Sequence, residues 1–212
     1  NWNDFVHVTF KSTPFYTGNH QQLDQNSFAV YYHSPLLTDS GNYQPPGYGQ
    51  DHFWNYYQRT IAHNSILVMD PTETFRTYCN DGGQQFKTDY PTLSQIKPGG
   101  INALGGITSF QEHENFTFVR GDATKAYSSK KVTEFTRDLV LIRNVSGERF
   151  PVLVVFDRVT STNSTFKKTF LLHSVTSPKV VSNQITIENG PSKLFADVLL
   201  PSSPSLVSVG GP

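Results

Sequence analysis

The stretch Phe5-Val6-His7-Val8-Thr9-Phe10 decides how the rest of the chain is interpreted, because large apolar side chains alternate in it with polar ones. Successive side chains of a β-strand point to opposite faces, so this pattern predicts a strand with one buried face. Further short runs rich in Val, Ile, Thr, Phe and Tyr, the residues favoured in strands, follow along the chain. They are Ser27–Tyr32, Ser65–Met69, Phe116–Arg120, Val132–Ile142, Val152–Val159, Thr169–His173, Ile185–Glu188 and Leu194–Leu200.

Turn-forming clusters separate these runs, among them Asp39-Ser40-Gly41 and Asp81-Gly82-Gly83. No window of a dozen residues shows the 3.6-residue apolar period of a helix. The succession of strands predicts an all-β fold, a large antiparallel β-sandwich of supersandwich-like form over residues 1–212. Residues 71–104 are rich in Gly, Pro, Gln and Asp and predict a long irregular loop. Such loops inside compact domains tend to be functional or mobile.

The composition excludes several classes of protein. Seventeen Lys and Arg balance 17 Asp and Glu, so bulk positive charge cannot hold a nucleic acid. The single cysteine, Cys79, permits neither an internal disulfide nor a thiolate metal cluster. No apolar run reaches the roughly 18 residues of a membrane-spanning helix, so no membrane partner is expected. Three glycosylation sequons, at Asn115, Asn144 and Asn163, are compatible with an exported protein.

Nearly all of the side chains that could do chemistry lie in the first half of the chain, where five of the seven histidines fall within residues 7–63. The segments around His20, Asp39 and His63 place such groups at strand edges and turns, where a binding group can face solvent. From the residues alone two interpretations stay open. The groups could converge on a ligand, or Asp39 could cap a turn while His63 is hydrogen-bonded inside the sandwich.

Taken in order, these segments resemble the C-terminal β-sandwich of the heparinase II/III-like polysaccharide lyases. That family shows a Gly-Asn-His-x-His-x-Asp-x-x-Ser-Phe stretch, then Asp-Ser-Gly, then Tyr-Tyr-x-Arg-Thr-x-Ala-His-Asn. The matching stretches here are Gly18–Phe28, Asp39–Gly41 and Tyr56–Asn64. Later segments such as Val119–Thr124 and Val155–Val159 are similar as well, so the resemblance covers almost the whole chain.

The resemblance implies a zinc site built from the second histidine of the first stretch, the aspartate of the second and the histidine of the third. In this chain those positions hold Gln22, Asp39 and His63. Gln22 departs from the family pattern, because an amide oxygen is a poorer zinc ligand than an imidazole nitrogen. Weak zinc binding, recruitment of His20 or a water, and an empty site are all open. The role implied for the metal is to pin two loops together.

The resemblance also implies a β-elimination, in which a base removes the proton α to a uronate carboxylate and an acid protonates the leaving O4. His20 matches the histidine that lines the cleft and helps to handle the carboxylate, and it is the expected catalytic residue. Tyr56 and Arg59 are expected to bind substrate, by stacking on a sugar and by clamping a carboxylate. A sandwich tyrosine takes part in catalysis in some related lyases, and Tyr48, Tyr56 and Tyr57 are the candidates for it.

In the family that this chain resembles, the principal acid and base come from an N-terminal α/α-toroid. No such region precedes Asn1 and the family pattern runs past Gly210-Gly211-Pro212, so we expect a chain cut at both ends and inactive alone. The implied protein is a secreted or periplasmic lyase that acts on acidic polysaccharide together with its toroid or a partner chain. The alternative is a non-catalytic structural, filament-forming or carbohydrate-binding protein, favoured by Gln22. Its edge strands could pair into homo-oligomers.

Overall fold

β-Strands form nearly all the regular structure of the computed structural model, which describes residues 5–41, 49–75, 79–143 and 150–210. The strands are β1 (His7–Lys11), β2 (Ser27–Tyr32), β3 (Ser34–Leu37), β4 (Ile66–Met69), β5 (Gly106–Glu112), β6 (Phe116–Asp122), β7 (Val132–Ile142), β8 (Val152–Ser161), β9 (Lys167–Phe170), β10 (Lys179–Val181), β11 (Gln184–Asn189) and β12 (Ser192–Asp197). Short helical turns occur at Phe53–Tyr57, Thr60–Ala62 and Thr124–Ala126. The predicted all-β class is therefore confirmed. None of the described helices has the length and apolar character needed to cross a membrane.

The strands pair in four antiparallel sheets. The first contains β1, β2 and β3, and the second contains β10, β11 and β12. A two-stranded sheet joins β4 to β9, and the largest sheet has the order β5-β6-β7-β8. The predicted strands at Ser27–Tyr32 and Val132–Ile142 occur with the same bounds, whereas β3, β5 and β10 were not predicted.

Two apolar clusters hold these sheets together. In the first, Phe28 and Val30 of β2 pack with Leu36 and Leu37 of β3, Leu139 of β7 and Ile187 of β11. The second lies around β4 and the start of β7, and it contains Tyr16, Leu23, Ile66, Val68, Leu104, Ala123, Ala126, Tyr127, Val132 and Phe135. Burial of these side chains is the main stabilising contribution, because each removes apolar surface from water.

A buried arginine ties the largest sheet to the loops that precede β2 and β4. Arg137 of β7 faces Asp157 of β8, and its Nη1 donates to the backbone carbonyls of Asn26 at 2.6 Å and Asn64 at 2.7 Å. Arg137 and Asp157 thus form a buried ion pair, with 2.7 Å between Nε and Oδ1.

The irregular segment predicted for 71–104 has no strand in its described parts, 71–75 and 79–104. Its two ends are nonetheless packed against the rest of the fold, whereas residues 88–101 are mostly exposed. The Gln84 side chain accepts from the backbone N–H of Gln25 and donates to its carbonyl, both at 2.9 Å. The Asn102 amide donates to the carbonyls of Tyr16 at 2.7 Å and Thr88 at 2.6 Å. These buried amide contacts hold the irregular segment against the part of the chain that precedes β2.

Candidate metal and carbohydrate site

Backbone hydrogen bonds bring the three chemistry-bearing segments of the sequence together. The N–H of Leu23 donates to the carbonyl of Gln58 at 2.9 Å, and the hydroxyl of Thr60 donates to the carbonyl of Leu23 at 2.7 Å. The N–H of Ser40 donates to the carbonyl of Ala62 at 2.8 Å. Segments that lie far apart in the sequence therefore share one region of the fold.

Asp39 and His63 meet in this region. Asp39 Oδ1 lies 2.9 Å from His63 Nδ1; the imidazole is fully buried, whereas the carboxylate is 53% exposed. Although the two atoms are close, neither ring nitrogen of His63 has a hydrogen-bond partner of good geometry in the described parts of the chain. Buried polar atoms are nearly always hydrogen-bonded, and exceptions often indicate a bound ion or water.

The chemistry of this pair fits a weak metal site. An imidazole nitrogen and a carboxylate oxygen are both donors that Zn²⁺ accepts. Within the described residues, no third His, Cys, Asp or Glu completes a group around them. Gln22, the remaining predicted ligand, is half-buried. It directly precedes Leu23, whose backbone N–H is hydrogen-bonded to the carbonyl of Gln58. Ligation by Gln22 stays a prediction.

Tyr56 belongs to the same region through the turn that carries Asp39. Its hydroxyl is hydrogen-bonded to that of Ser40 at 2.8 Å, and its ring stacks on His52 with 5.1 Å between the centroids. The turn needs glycine at position 41, where φ is +80° and a Cβ would lie 2.7 Å from Cβ of Tyr57. The half-buried Tyr56 ring is thus held beside Asp39, while substrate binding by Tyr56 stays a prediction.

A small cavity opens on the solvent side of Asp39. Its volume is about 220 Å³, and it is lined by Asp39, Lys11, Asp24 and neighbouring residues of β1 and β2. Lys11 Nζ binds both carboxylate oxygens of Asp24, at 2.5 and 2.6 Å. The cavity therefore offers charged hydrogen-bonding groups of both signs, which suit the hydroxyl groups of a sugar.

Arg59 does not face this cavity. Its side chain is fully buried, its Nη2 lies 2.6 Å from Asp81 Oδ1, and its guanidinium covers the ring of Phe75 at 4.4 Å from the centroid. A polysaccharide could reach this guanidinium only if the surrounding segments moved. Substrate binding by Arg59 stays a prediction, and the observed contacts support an architectural role.

His20 lies on the exposed turn before β2. The turn is held by Gln21, whose side-chain oxygen accepts from the N–H of Thr17 at 2.7 Å and whose amide donates to the carbonyl of Phe15 at 3.1 Å. A histidine that handles a substrate carboxylate must face solvent, as His20 does, and its catalytic role stays a prediction. Tyr48 and the sequon at Asn144 lie outside the described residues.

Two residues behind the site were not singled out as functional by the sequence. The buried Asn64 side chain contacts Phe28, Thr38 and His173, all through their backbone. His173 Nε2 lies 2.9 Å from the carbonyl oxygen of Ile61, an acceptor, so this nitrogen carries the proton. Burial lowers the pKa of His173; the Ile61 contact opposes this shift, and neighbouring His63 adds to it. Backbone partners have no signature in the sequence, which is why Asn64 could not be identified from it.

A comparison with protein families gives a match over residues 3–200 to the family described as heparinase II/III-like, C-terminal. The matched residues include all three segments that meet at Asp39 and His63. A search of curated proteins found no match.

Proposed function

Because this chain belongs to the heparinase II/III-like C-terminal family, we propose that it is the β-sandwich part of a polysaccharide lyase that cleaves uronic-acid-containing polysaccharides by β-elimination. The observation that carries the proposal is the pairing of Asp39 with a buried His63 beside a cavity that Lys11, Asp24 and Asp39 help to line, in a chain of this family. The family supports a polysaccharide substrate, and in the proposal the cavity accommodates one of its sugar residues.

The reaction makes two demands on the protein. Negative charge develops on the uronate carboxylate when the α-proton is removed, and hydrogen-bond donors aimed at that charge stabilise the transition state. In the proposal the exposed His20 supplies one such donor, since an imidazole carries at least one ring N–H. Tyr56 binds a sugar next to the Asp39 turn.

In the same proposal Gln22, Asp39 and His63 hold a zinc ion. When bound, the ion would supply a fixed positive charge between the Asp39 turn and the segment that carries His63. Asp39 and His63 are donors of the right kind, and the neutral amide of Gln22 makes the binding weak.

We further propose that the chain acts with a helical N-terminal toroid domain, which contributes the main acid and base, and that the protein is exported. A secreted or periplasmic location suits an enzyme that acts on an extracellular acidic polysaccharide. The sequons at Asn115 and Asn163 lie in exposed turns, where glycans could be accommodated.

The test is a lyase assay on a panel of uronic-acid polysaccharides, in which the unsaturated product is followed by ultraviolet absorbance. We expect the whole protein with its toroid to cleave at least one of them and the 212-residue chain alone to cleave none. His20→Ala in the whole protein should lower kcat by about 10²- to 10⁴-fold. His113→Ala, a change of an exposed histidine in the β5–β6 turn, is the matched control and should leave kcat unchanged.

Each outcome of this assay has a distinct meaning. Robust turnover by the chain alone would refute the need for a toroid. Full activity of His20→Ala would remove the role given to His20. If the whole protein cleaved no member of the panel, the lyase proposal would fail.

One observation favours a second, non-catalytic function. The face of the β5–β8 sheet that carries Val154 and Phe156 of β8 has an apolar patch, and these two residues are each about 40% exposed. Beside them a surface cavity of about 450 Å³ is lined by Phe116, Phe118, Val140, Ile142, Gln111 and Asn115. Exposed apolar patches of this kind commonly mark interaction sites. A carbohydrate-binding or self-assembling protein would therefore bind its partner on this face, without producing an unsaturated product.

A further inference from the structure

We infer that Asn64 is a positioning residue that sets the approach of Asp39 to His63, and with it the metal affinity of the site. The statement about metal rests on the proposed function. The hydrogen bonds that carry the inference do not, because they lie within the protein itself.

All the hydrogen-bonding groups of the Asn64 side chain are used. The fully buried amide Nδ2 donates to the carbonyl oxygens of Phe28 at 2.9 Å and Thr38 at 3.2 Å. Oδ1 accepts from the N–H of His173 at 2.6 Å. One side chain thus joins three separate parts of the backbone, and the Asn64 carbonyl is itself held by Arg137 at 2.7 Å.

These bonds bracket Asp39 on both sides. The residue before it, Thr38, is bound by Asn64, which follows His63. The residue after it, Ser40, donates its N–H to Ala62, which precedes His63. Both neighbours of Asp39 are therefore bonded to the two neighbours of His63. This arrangement leaves the two functional side chains little freedom to separate.

The arrangement requires an asparagine. An aspartate at position 64 has no N–H to offer and would place carboxylate oxygens against the carbonyls of Phe28 and Thr38. An alanine would leave two buried carbonyls and the N–H of His173 without a partner, and each loss is costly in a buried site. In both cases the carbonyl of Thr38 loses its donor, so Thr38 is held only by the bond from its N–H to the carbonyl of His173 at 3.1 Å, while the bond from Ser40 to Ala62 remains.

Asn102 provides the control that distinguishes a purely structural role from a positioning role. This residue is also fully buried, and its amide donates to two backbone carbonyls, those of Tyr16 and Thr88. It fastens the irregular segment and makes none of the contacts that bracket Asp39. Asn102→Ala is therefore a matched control for the loss of a buried amide.

The experiment compares Asn64→Asp and Asn64→Ala with Asn102→Ala. Zn²⁺ affinity is measured by titration calorimetry, and hydrogen exchange of the Ser40 amide is measured in metal-free protein. We expect both Asn64 variants to bind Zn²⁺ about 10- to 100-fold more weakly than the wild type, the usual cost of losing a residue that orients a metal ligand. Their Ser40 amide should also exchange faster. Asn102→Ala should lose comparable thermal stability and leave both readouts unchanged.

Wild-type affinity and wild-type Ser40 exchange in the Asn64 variants would overturn the inference, as would an equal loosening of Ser40 in Asn102→Ala. If Zn²⁺ does not bind the wild type, the metal site of the proposed function fails, while the exchange measurement still decides the role of Asn64. If neither Asn64 variant folds, hydrogen exchange of the wild-type protein in increasing denaturant replaces the measurement on the variants. The amides of Thr38, Ser40 and His173 should then open together, and independent opening would contradict the bracket.

Discussion

Arg137 and Asp157 stand opposite each other on β7 and β8 and are joined by two parallel hydrogen bonds. Nε donates to Oδ1 at 2.7 Å and Nη2 donates to Oδ2 at 2.8 Å. The guanidinium is fully buried, and its remaining contacts reach the carbonyls of Asn26 and Asn64. A single side chain therefore links the largest sheet to the segments that carry the candidate site.

Replacement of Arg137 should be among the most destabilising single substitutions in the chain. Arg137→Met leaves the Asp157 carboxylate and two buried carbonyls without a partner, and we expect a loss of about 3–5 kcal/mol in the free energy of unfolding. Urea denaturation followed by fluorescence measures it. Arg158→Met, at a guanidinium that is 46% exposed and contacts Asp138 at 3.2 Å, should cost about 1 kcal/mol or less. Equal losses in the two variants would contradict the role of Arg137.

Restoring the family residue at position 22 should strengthen metal binding. Gln22→His replaces an amide oxygen by an imidazole nitrogen, a better ligand for Zn²⁺, and we expect an affinity at least about tenfold higher. Calorimetric titration of the wild type and the variant measures it. Asp39→Asn, which removes the carboxylate beside His63, should weaken binding in both backgrounds. Unchanged affinity in Gln22→His would place Gln22 away from the metal.

His173 should make stability depend on pH below neutrality. Because burial lowers its pKa, the folded protein binds a proton on His173 less readily than the unfolded chain, whose histidine titrates near 6.5. The contribution of neutral His173 to the free energy of unfolding is therefore fully present above about pH 6.5, and it is lost as the pH falls below that value. Melting temperatures of the wild type should decline more between pH 7 and pH 5 than those of His173→Gln, whose amide can still donate to Ile61. Parallel profiles would refute a titrating role for His173; His63 and Asp39, which face it, are common to both proteins.

The phenol of Tyr127 should contribute to the stability of the second apolar cluster. Its buried hydroxyl donates to the carbonyl of Ile66 at 2.5 Å, and burial raises its pKa well above the usual value. Tyr127→Phe leaves that carbonyl unpaired and should cost about 1–2 kcal/mol, measured by chemical denaturation. Tyr90→Phe, at a ring that is 84% exposed, should have no measurable effect. A neutral Tyr127→Phe would show that the carbonyl finds another partner.

The strands that were predicted and those that were missed differ in physical character. β2 and β7 are dominated by β-branched and aromatic residues, so composition alone indicated them. β3 contains Pro35, which argues against a strand unless the strand lies at an edge, as β3 does beside β2 alone. β5 begins at Gly106 and is largely exposed, so it lacks the apolar alternation on which the predictions depended.

The sequence could predict only those parts of the candidate site that depend on the chemical type of the side chains. Asp39 and His63 could be proposed together because family resemblance connects their segments, and the structure places their side chains in contact. The burial of Arg59 could not be foreseen, since its partner Asp81 lies in an irregular segment without a periodic pattern. Asn64 was out of reach for a different reason: its partners are main-chain atoms of residues as distant as His173.

The irregular segment has a practical consequence for anyone who shortens or labels this protein. A segment without strands is an obvious candidate for deletion. Its deletion would, however, remove the buried hydrogen bonds of Gln84 to Gln25 and of Asn102 to Tyr16. The stretch between Tyr90 and Leu93 is different, because both side chains are almost fully solvent-exposed. An epitope or fluorophore inserted there should leave the scaffold intact, whereas the same insertion a few positions earlier should not.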